Sequence, residues 1–119
     1  MPETPGSLEI RRNDDLTIIK FTERKILDEI TITRIGEHLH TLVAKSPEPL
    51  FVLEFHNVTH MSSSALGMLI TLLKRVREKG GQLRLAGIQP AILEVFRITR
   101  LNEVFDIYET TEEAMASIR

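Results

Sequence analysis

The run Leu50-Phe51-Val52-Leu53-Glu54-Phe55 restricts the possible folds more than any other stretch of this chain. Its apolar residues scarcely alternate with polar ones, a pattern that suits a strand covered on both faces rather than one with a wet side. Ser46-Pro47-Glu48-Pro49 stands immediately before it. Proline lacks the amide donor and pushes its predecessor out of helical geometry, so a preceding helix must end there. A strand covered on both faces needs helices or loops to cover it. The flanking sequence supplies them.

Upstream, Leu8 to Arg12 and Leu16 to Phe21 are strand-like runs separated by Asn13-Asp14-Asp15, a turn signal, and together they predict a hairpin. Thr22 to Ile26 reads as a connection. Asp28 is placed as the N-cap of a helix whose apolar stripe is Ile32, Ile35, Leu39, Leu42 and Val43. Downstream, Leu66, Leu69, Ile70, Leu73 and Val76 predict a second helix from near Ser63 to Lys79, closed by Gly80-Gly81. Gln82 to Gly87 alternates as a strand. Pro90 opens a third helix through Ile92, Val95, Phe96 and Thr99. Val104 to Tyr108 reads as a last strand, and Thr110 with Glu113 has the capping-box spacing for a final helix to about Ile118. The order β-β-α-β-α-β-α-β-α predicts an α/β fold: a mixed sheet of four to five strands packed by about four α-helices. Residues 1–7, with two prolines and a glycine, are expected to form a mobile leader before a single domain at 8–119.

Composition removes several function classes. Fifteen basic and seventeen acidic side chains leave a formal net charge of −2, without the basic balance of a nucleic-acid binder. The basic cluster at 74–79 has no aromatic partner and reads as a solvated helix end. Cysteine is absent, which excludes disulfides, thiolate metal sites and cysteine nucleophiles. No apolar run has the length of a membrane span, and Met1 to Ser7 lacks the regions of a signal peptide. A cytoplasmic protein is expected. His38 and His40 lie two apart on a helix and diverge, while His56 and His60 have no third ligand at metal spacing, so no metal and no cofactor is expected. His60 lies close to Ser63, but the glycine-bracketed nucleophile elbow of a hydrolase is missing.

What remains is Ser62-Ser63-Ser64, at the hand-over from strand to helix. Unpaired N–H groups and the positive end of the helix dipole meet there, and both stabilise anions. One serine suffices for a cap. Three, followed by the small Ala65 and Gly67, leave a helix start that another protein can approach. Met68 and Leu72 widen the apolar face beyond the core stripe and are assigned to the same contact surface. A phosphate on one serine would add roughly −1.5 to −2 charge, which a helix N-terminus tolerates and an apolar or acidic interface does not.

Ser62-Ser63-Ser64-Ala65-Leu66-Gly67 aligns without a gap with the signature of the STAS domain: aspartate, serine, serine or threonine, glycine, leucine, glycine. Leu27-Asp28-Glu29-Ile30-Thr31, Arg75 to Leu83 and Thr99 to Phe105 also fit that family, in order and over nearly the whole chain from Leu8. The chain thus resembles bacterial anti-sigma factor antagonists. The resemblance implies a STAS-like fold and a binding protein, not an enzyme, that sequesters an anti-sigma factor serine kinase and so releases a sigma factor. It implies phosphorylation at Ser63, with Ser64 as the second candidate, and reversal by a serine phosphatase. The partner-binding set is then Asp28, His60, Ser62, Ser63, Ser64, Ala65, Met68 and Leu72, on a monomer or weak homodimer that touches neither nucleic acid nor membrane. Two positions depart from the signature: Ser62 replaces the aspartate and Ala65 the glycine. A non-phosphorylated scaffold or regulatory subunit is the alternative they suggest.

Overall fold

In the computed structural model, which describes residues 7–118, the expected alternation folds into one five-stranded mixed sheet. β1 (Leu8–Asn13) and β2 (Leu16–Phe21) form the antiparallel hairpin, turned by Asp14 and Asp15 with Asn13 facing Leu16. Asp14 takes a positive φ of 57°, a conformation that the short polar side chain of aspartate accepts more readily than most. β4 (Leu50–Glu54) lies beside β2, β6 (Gln82–Ala86) beside β4, and β7 (Asp106–Tyr108) beside β6, all parallel. β4 is therefore the central strand, as its apolar run requires.

Four helices cover the sheet: α1 (Glu29–Lys45), α2 (Ser63–Glu78), α3 (Pro90–Ile98) and α4 (Thr111–Ala116). The first three share the main core with Ile19, Phe21, Phe51, Leu53, Phe55, Leu83 and Leu85. Phe21 and Phe55 meet there with ring centroids 4.8 Å apart. On the opposite face, Ala114 of α4 packs with Ile18, Val52 and Ala86 in a smaller cluster. Alternation along each strand divides the side chains between these two layers.

Four local expectations are corrected. Ser7, placed in the leader, is buried, and its carbonyl accepts the Thr22 N–H at 2.9 Å, so the fold begins one residue earlier; the rest of the expected leader lies outside the described residues. The stretch Thr22 to Ile26 is more than a connection. It contains β3 (Lys25–Ile26), paired in parallel with β5 (His60–Met61) in a separate two-stranded sheet. Val104 and Phe105 precede the last strand. A 3-10 turn at Leu101–Glu103 leads into them, and Phe105 turns its ring edge-on to Phe96 at 5.8 Å, which anchors α3. Leu72 is wholly buried, so it belongs to the core stripe, whereas Ile70, assigned to that stripe, is only half-buried at its edge.

Candidate functional site

The serine run is held by the small sheet beneath it. Thr59 and His60 donate their backbone N–H groups to the Arg24 carbonyl at 2.7 and 3.2 Å, and the Ser62 N–H donates to the Ile26 carbonyl at 3.1 Å. The loop that carries the serines is thus stapled to the segment that leads into α1. Both helices start at the same place on the surface.

Each start has a side-chain cap. Asp28 accepts from the backbone N–H groups of Ile30 and Thr31, both at 3.2 Å. Hydrogen bonds from the Thr31 side chain, and next those backbone groups, hold the Asp28 carboxyl below its ordinary range. At α2 the Ser62 hydroxyl accepts from the Ala65 N–H at 3.2 Å. Serine and aspartate are comparable N-caps, so Ser62 retains the capping function while giving up the carboxylate.

The three hydroxyls therefore have three different situations. Ser62 caps. Ser64 donates to the Glu29 carboxylate at 2.9 Å, across from the first turn of α2 to that of α1. Ser63 is the first residue of the helix, is exposed, and makes no side-chain hydrogen bond among the described residues. Of the three, its hydroxyl is the one open to attack or modification.

Around this point the expected contact residues separate. Met68 is half-buried, in a groove of about 340 Å³ between α1 and α2 whose rim carries Glu29, Glu37 and Ser64. Gly36 of α1 approaches Met68 closely: a Cβ at that position would lie 3.1 Å from the Met68 Cγ, and the methionine would have to give by a few tenths of an ångström. Leu72 and Ala65, expected on the contact surface, do not reach it: both are completely buried and have nothing to offer a partner. Ala65 turns its methyl group into the core instead of towards a partner. His60 is exposed, but its Nδ1 lies 2.9 Å from the Thr59 hydroxyl and no hydrogen bond joins it to Ser63, so the pair has no nucleophile–base geometry. His56 packs against Gly87 at a different place, and no cluster of metal-ligating side chains exists among the described residues.

The sequence reading missed three residues at the two helix starts. Glu29 is one, because only the packing of α1 on α2 brings it to Ser64. The others are Leu27 and Ile30, large apolar side chains 46% and 68% exposed on either side of the Asp28 cap. Their pattern was visible: neither fits the stripe that begins at Ile32. At the floor of the groove the His40 Nε2 is buried without a partner among the described residues, and that burial, followed by the charge of Arg75, lowers the basicity of the ring.

The arrangement matches known proteins in sequence and in shape. The model of the STAS domain family matches residues 7–114. The anti-sigma-B factor antagonist of Staphylococcus aureus (strain NCTC 8325 / PS 47) is 29% identical over 96 residues, covering 78% of this chain and 88% of that protein. An anti-sigma-factor antagonist (STAS) domain protein from Planctomyces limnophilus superposes with a TM-score of 0.84 at 21% identity, over 92% of this chain and 96% of that one. The Bacillus cell fate determinant SpoIIAA, in its phosphorylated form, gives a TM-score of 0.72 at 17% identity, over 94% and 99%. No helix among the described residues is long and apolar enough to cross a membrane. The chain belongs to the STAS domain family.

Proposed function

We propose that this protein is an anti-sigma factor antagonist, a regulatory binding protein switched by phosphorylation of Ser63. Its partner is an anti-sigma factor serine kinase. The unmodified protein binds that kinase and so frees a sigma factor; a serine phosphatase restores the binding form. It works in the cytoplasm as a monomer or weak homodimer and catalyses nothing itself.

The observation that carries this reading is the Ser63 hydroxyl, exposed and without a partner at the first turn of α2, between a serine used as cap and a serine bonded to Glu29. The names of the relatives and the phosphorylated form of SpoIIAA support it. The contact surface consists of Asp28, His60, Ser62, Ser63, Ser64 and Met68, enlarged by Glu29 and the exposed Leu27 and Ile30. An apolar surface loses affinity when a dianion must be desolvated against it, whereas the helix start itself accommodates the charge. Binding changes while the fold does not.

The test is incubation with a candidate anti-sigma kinase and ATP, mapping of the phosphate, and measurement of kinase binding by wild type, Ser63→Ala and Ser63→Asp. Phosphate on Ser63 together with weakened binding of Ser63→Asp supports the switch. An unmodified Ser63, with Ser63→Asp binding as wild type, refutes it. A second reading, a STAS scaffold that binds without phosphate turnover, is favoured by one observation: the capping residue is Ser62, so the site lacks a carboxylate at that position. Binding without modification selects the scaffold.

A further inference from the structure

The five-stranded sheet ends on β1 and on β7, and β1 is the longer edge, with six residues against three. Its pairing with β2 runs without a bulge and it contains no proline. Charged side chains commonly blunt an edge of this kind against further pairing. Those of β1 carry a sign pattern that selects one partner.

The Ser7 carbonyl accepts from the Thr22 N–H at 2.9 Å, and the register continues from there with Leu8 opposite Phe21. In an antiparallel ladder, bonded and non-bonded pairs alternate. Residues 7, 9, 11 and 13 therefore bond to β2, while Leu8, Ile10 and Arg12 turn their N–H and C=O groups away from it. No other strand among the described residues takes these groups up.

The side chains alternate in step. Arg11 stands opposite Ile18 and Glu9 opposite Lys20, on the face of the sheet that α4 covers in part. Leu8 and Ile10 point to the main core, where Ile10 is only half-buried. Glu9 is exposed and has no ion pair or side-chain hydrogen bond among the described residues, not even with Lys20. Arg11 gives one N–H donor to Glu54 at 3.2 Å, but its side chain remains 53% exposed and its guanidinium has donors to spare.

We infer that β1 pairs with β1 of a second copy of this chain, antiparallel across a twofold axis at Ile10. In that register Leu8 faces Arg12 and Ile10 faces Ile10, and each pair exchanges two main-chain hydrogen bonds through the outward groups. Between them, Glu9 of each copy stands opposite Arg11 of the other. The faces of the sheet match across the seam, so the two Ile10 side chains close on each other beside the cores. Sliding the axis to Glu9 would oppose two carboxylates, and sliding it to Arg11 would oppose two guanidiniums. Like charges directly opposite are destabilising, so the charges admit one register. One strand edge is a small contact, and the dimer is accordingly weak. This deepens the weak homodimer of the proposed function by naming its surface. It shares no residue with the serine surface, so its failure would leave the phosphorylation switch standing.

The test is sedimentation equilibrium and NMR amide exchange on the full chain at increasing protein concentration, without kinase. The expected result is a reversible dimer with a dissociation constant between about 10 μM and 1 mM. Concentrating the protein should slow exchange at Leu8, Ile10 and Arg12. Glu9→Arg sets like charges opposite each other and should weaken the dimer about tenfold, and adding Arg11→Glu, which restores both pairs in reverse, should recover it. Arg12→Pro removes an outward donor and no bond to β2, and should also weaken the dimer about tenfold. Four results overturn the proposal: a monomer up to about 1 mM, exchange slowed only outside β1, a dimer unchanged in Glu9→Arg or Arg12→Pro, or a folded double variant that does not recover. Arg11→Glu brings a second carboxylate near Glu54, so spectral dispersion checks the fold of each variant. Where the double variant does not fold, Arg12→Pro decides.

Discussion

The Ser64 hydroxyl donates to the Glu29 carboxylate across 2.9 Å and so joins the first turn of α2 to the first turn of α1. This bond occupies the hydroxyl beside Ser63 and leaves that of Ser63 free. In a kinase reaction the wild-type protein should carry phosphate on Ser63, and Glu29→Ala should add measurable modification at Ser64. The bond is exposed, so its loss should cost no more than about 1 kcal/mol of stability. Peptide mapping by mass spectrometry reads the first outcome and urea denaturation the second. Equal site occupancy in both proteins would show that Glu29 has no influence on the choice.

Ser62 and Ser63 should respond differently to the same substitutions. Ser62→Ala removes the acceptor for the Ala65 N–H and should lower stability by about 1 kcal/mol, while Ser62→Asp keeps it. Ser63→Ala removes no bond and should stay within about 0.5 kcal/mol of wild type. Ser63→Asp places an anion in the first helical turn and should raise stability by about 0.3–1 kcal/mol at low salt. Denaturation midpoints of the four variants check this. A destabilised Ser63→Asp would mean that the helix start does not accommodate charge, and the physical basis of the switch would go with it.

Most of the fold could be read from spacing because each helix stripe and β4 are long enough to carry a pattern. What could not be read depends on contacts between distant segments. β3 and β5 are two residues each, too short for any periodicity, and exist because Arg24 and Ile26 carbonyls meet the N–H groups of residues 59, 60 and 62. Val104 and Phe105 have the composition of a strand, but Phe105 is drawn to Phe96 instead. At the site, the Asp28 cap and the helix start at Ser63 followed from local chemistry. Glu29 did not, since nothing in a linear sequence brings it to a residue 35 positions away.

Leu72 and Met68, adjacent on the apolar face of α2, should separate cleanly. Leu72→Ala empties a fully buried volume and should cost about 2–5 kcal/mol, lowering kinase binding only as far as the protein unfolds. Met68→Ala removes a half-buried side chain from the groove between α1 and α2 and should cost less stability while weakening the partner directly. Thermal denaturation and a binding isotherm, run on both variants under conditions where each is folded, distinguish the two. A folded Leu72→Ala that binds worse than Met68→Ala would return Leu72 to the contact surface.

His40 gives the groove a pH dependence whose sign follows from its surroundings. Burial, and then the nearby charge of Arg75, lower its pKa from the usual 6.5. Glu37 and Met68 also line the groove but do not bond its Nε2, which has no partner among the described residues. In the unfolded chain the ring takes up its proton near pH 6.5, whereas in the folded chain it stays neutral to lower pH. Between those two values the unfolded state holds more protons, so unfolding becomes easier as pH falls. The stability due to neutral His40 is therefore complete above pH 6.5 and is lost as pH drops through that window towards the folded-state value. Comparing the denaturation midpoint of wild type with that of His40→Gln from pH 7.5 to 5 isolates the effect, since the variant lacks the proton uptake. Wild type should lose stability more steeply than His40→Gln on acidification; parallel curves would show that His40 titrates alike in the folded and unfolded chains.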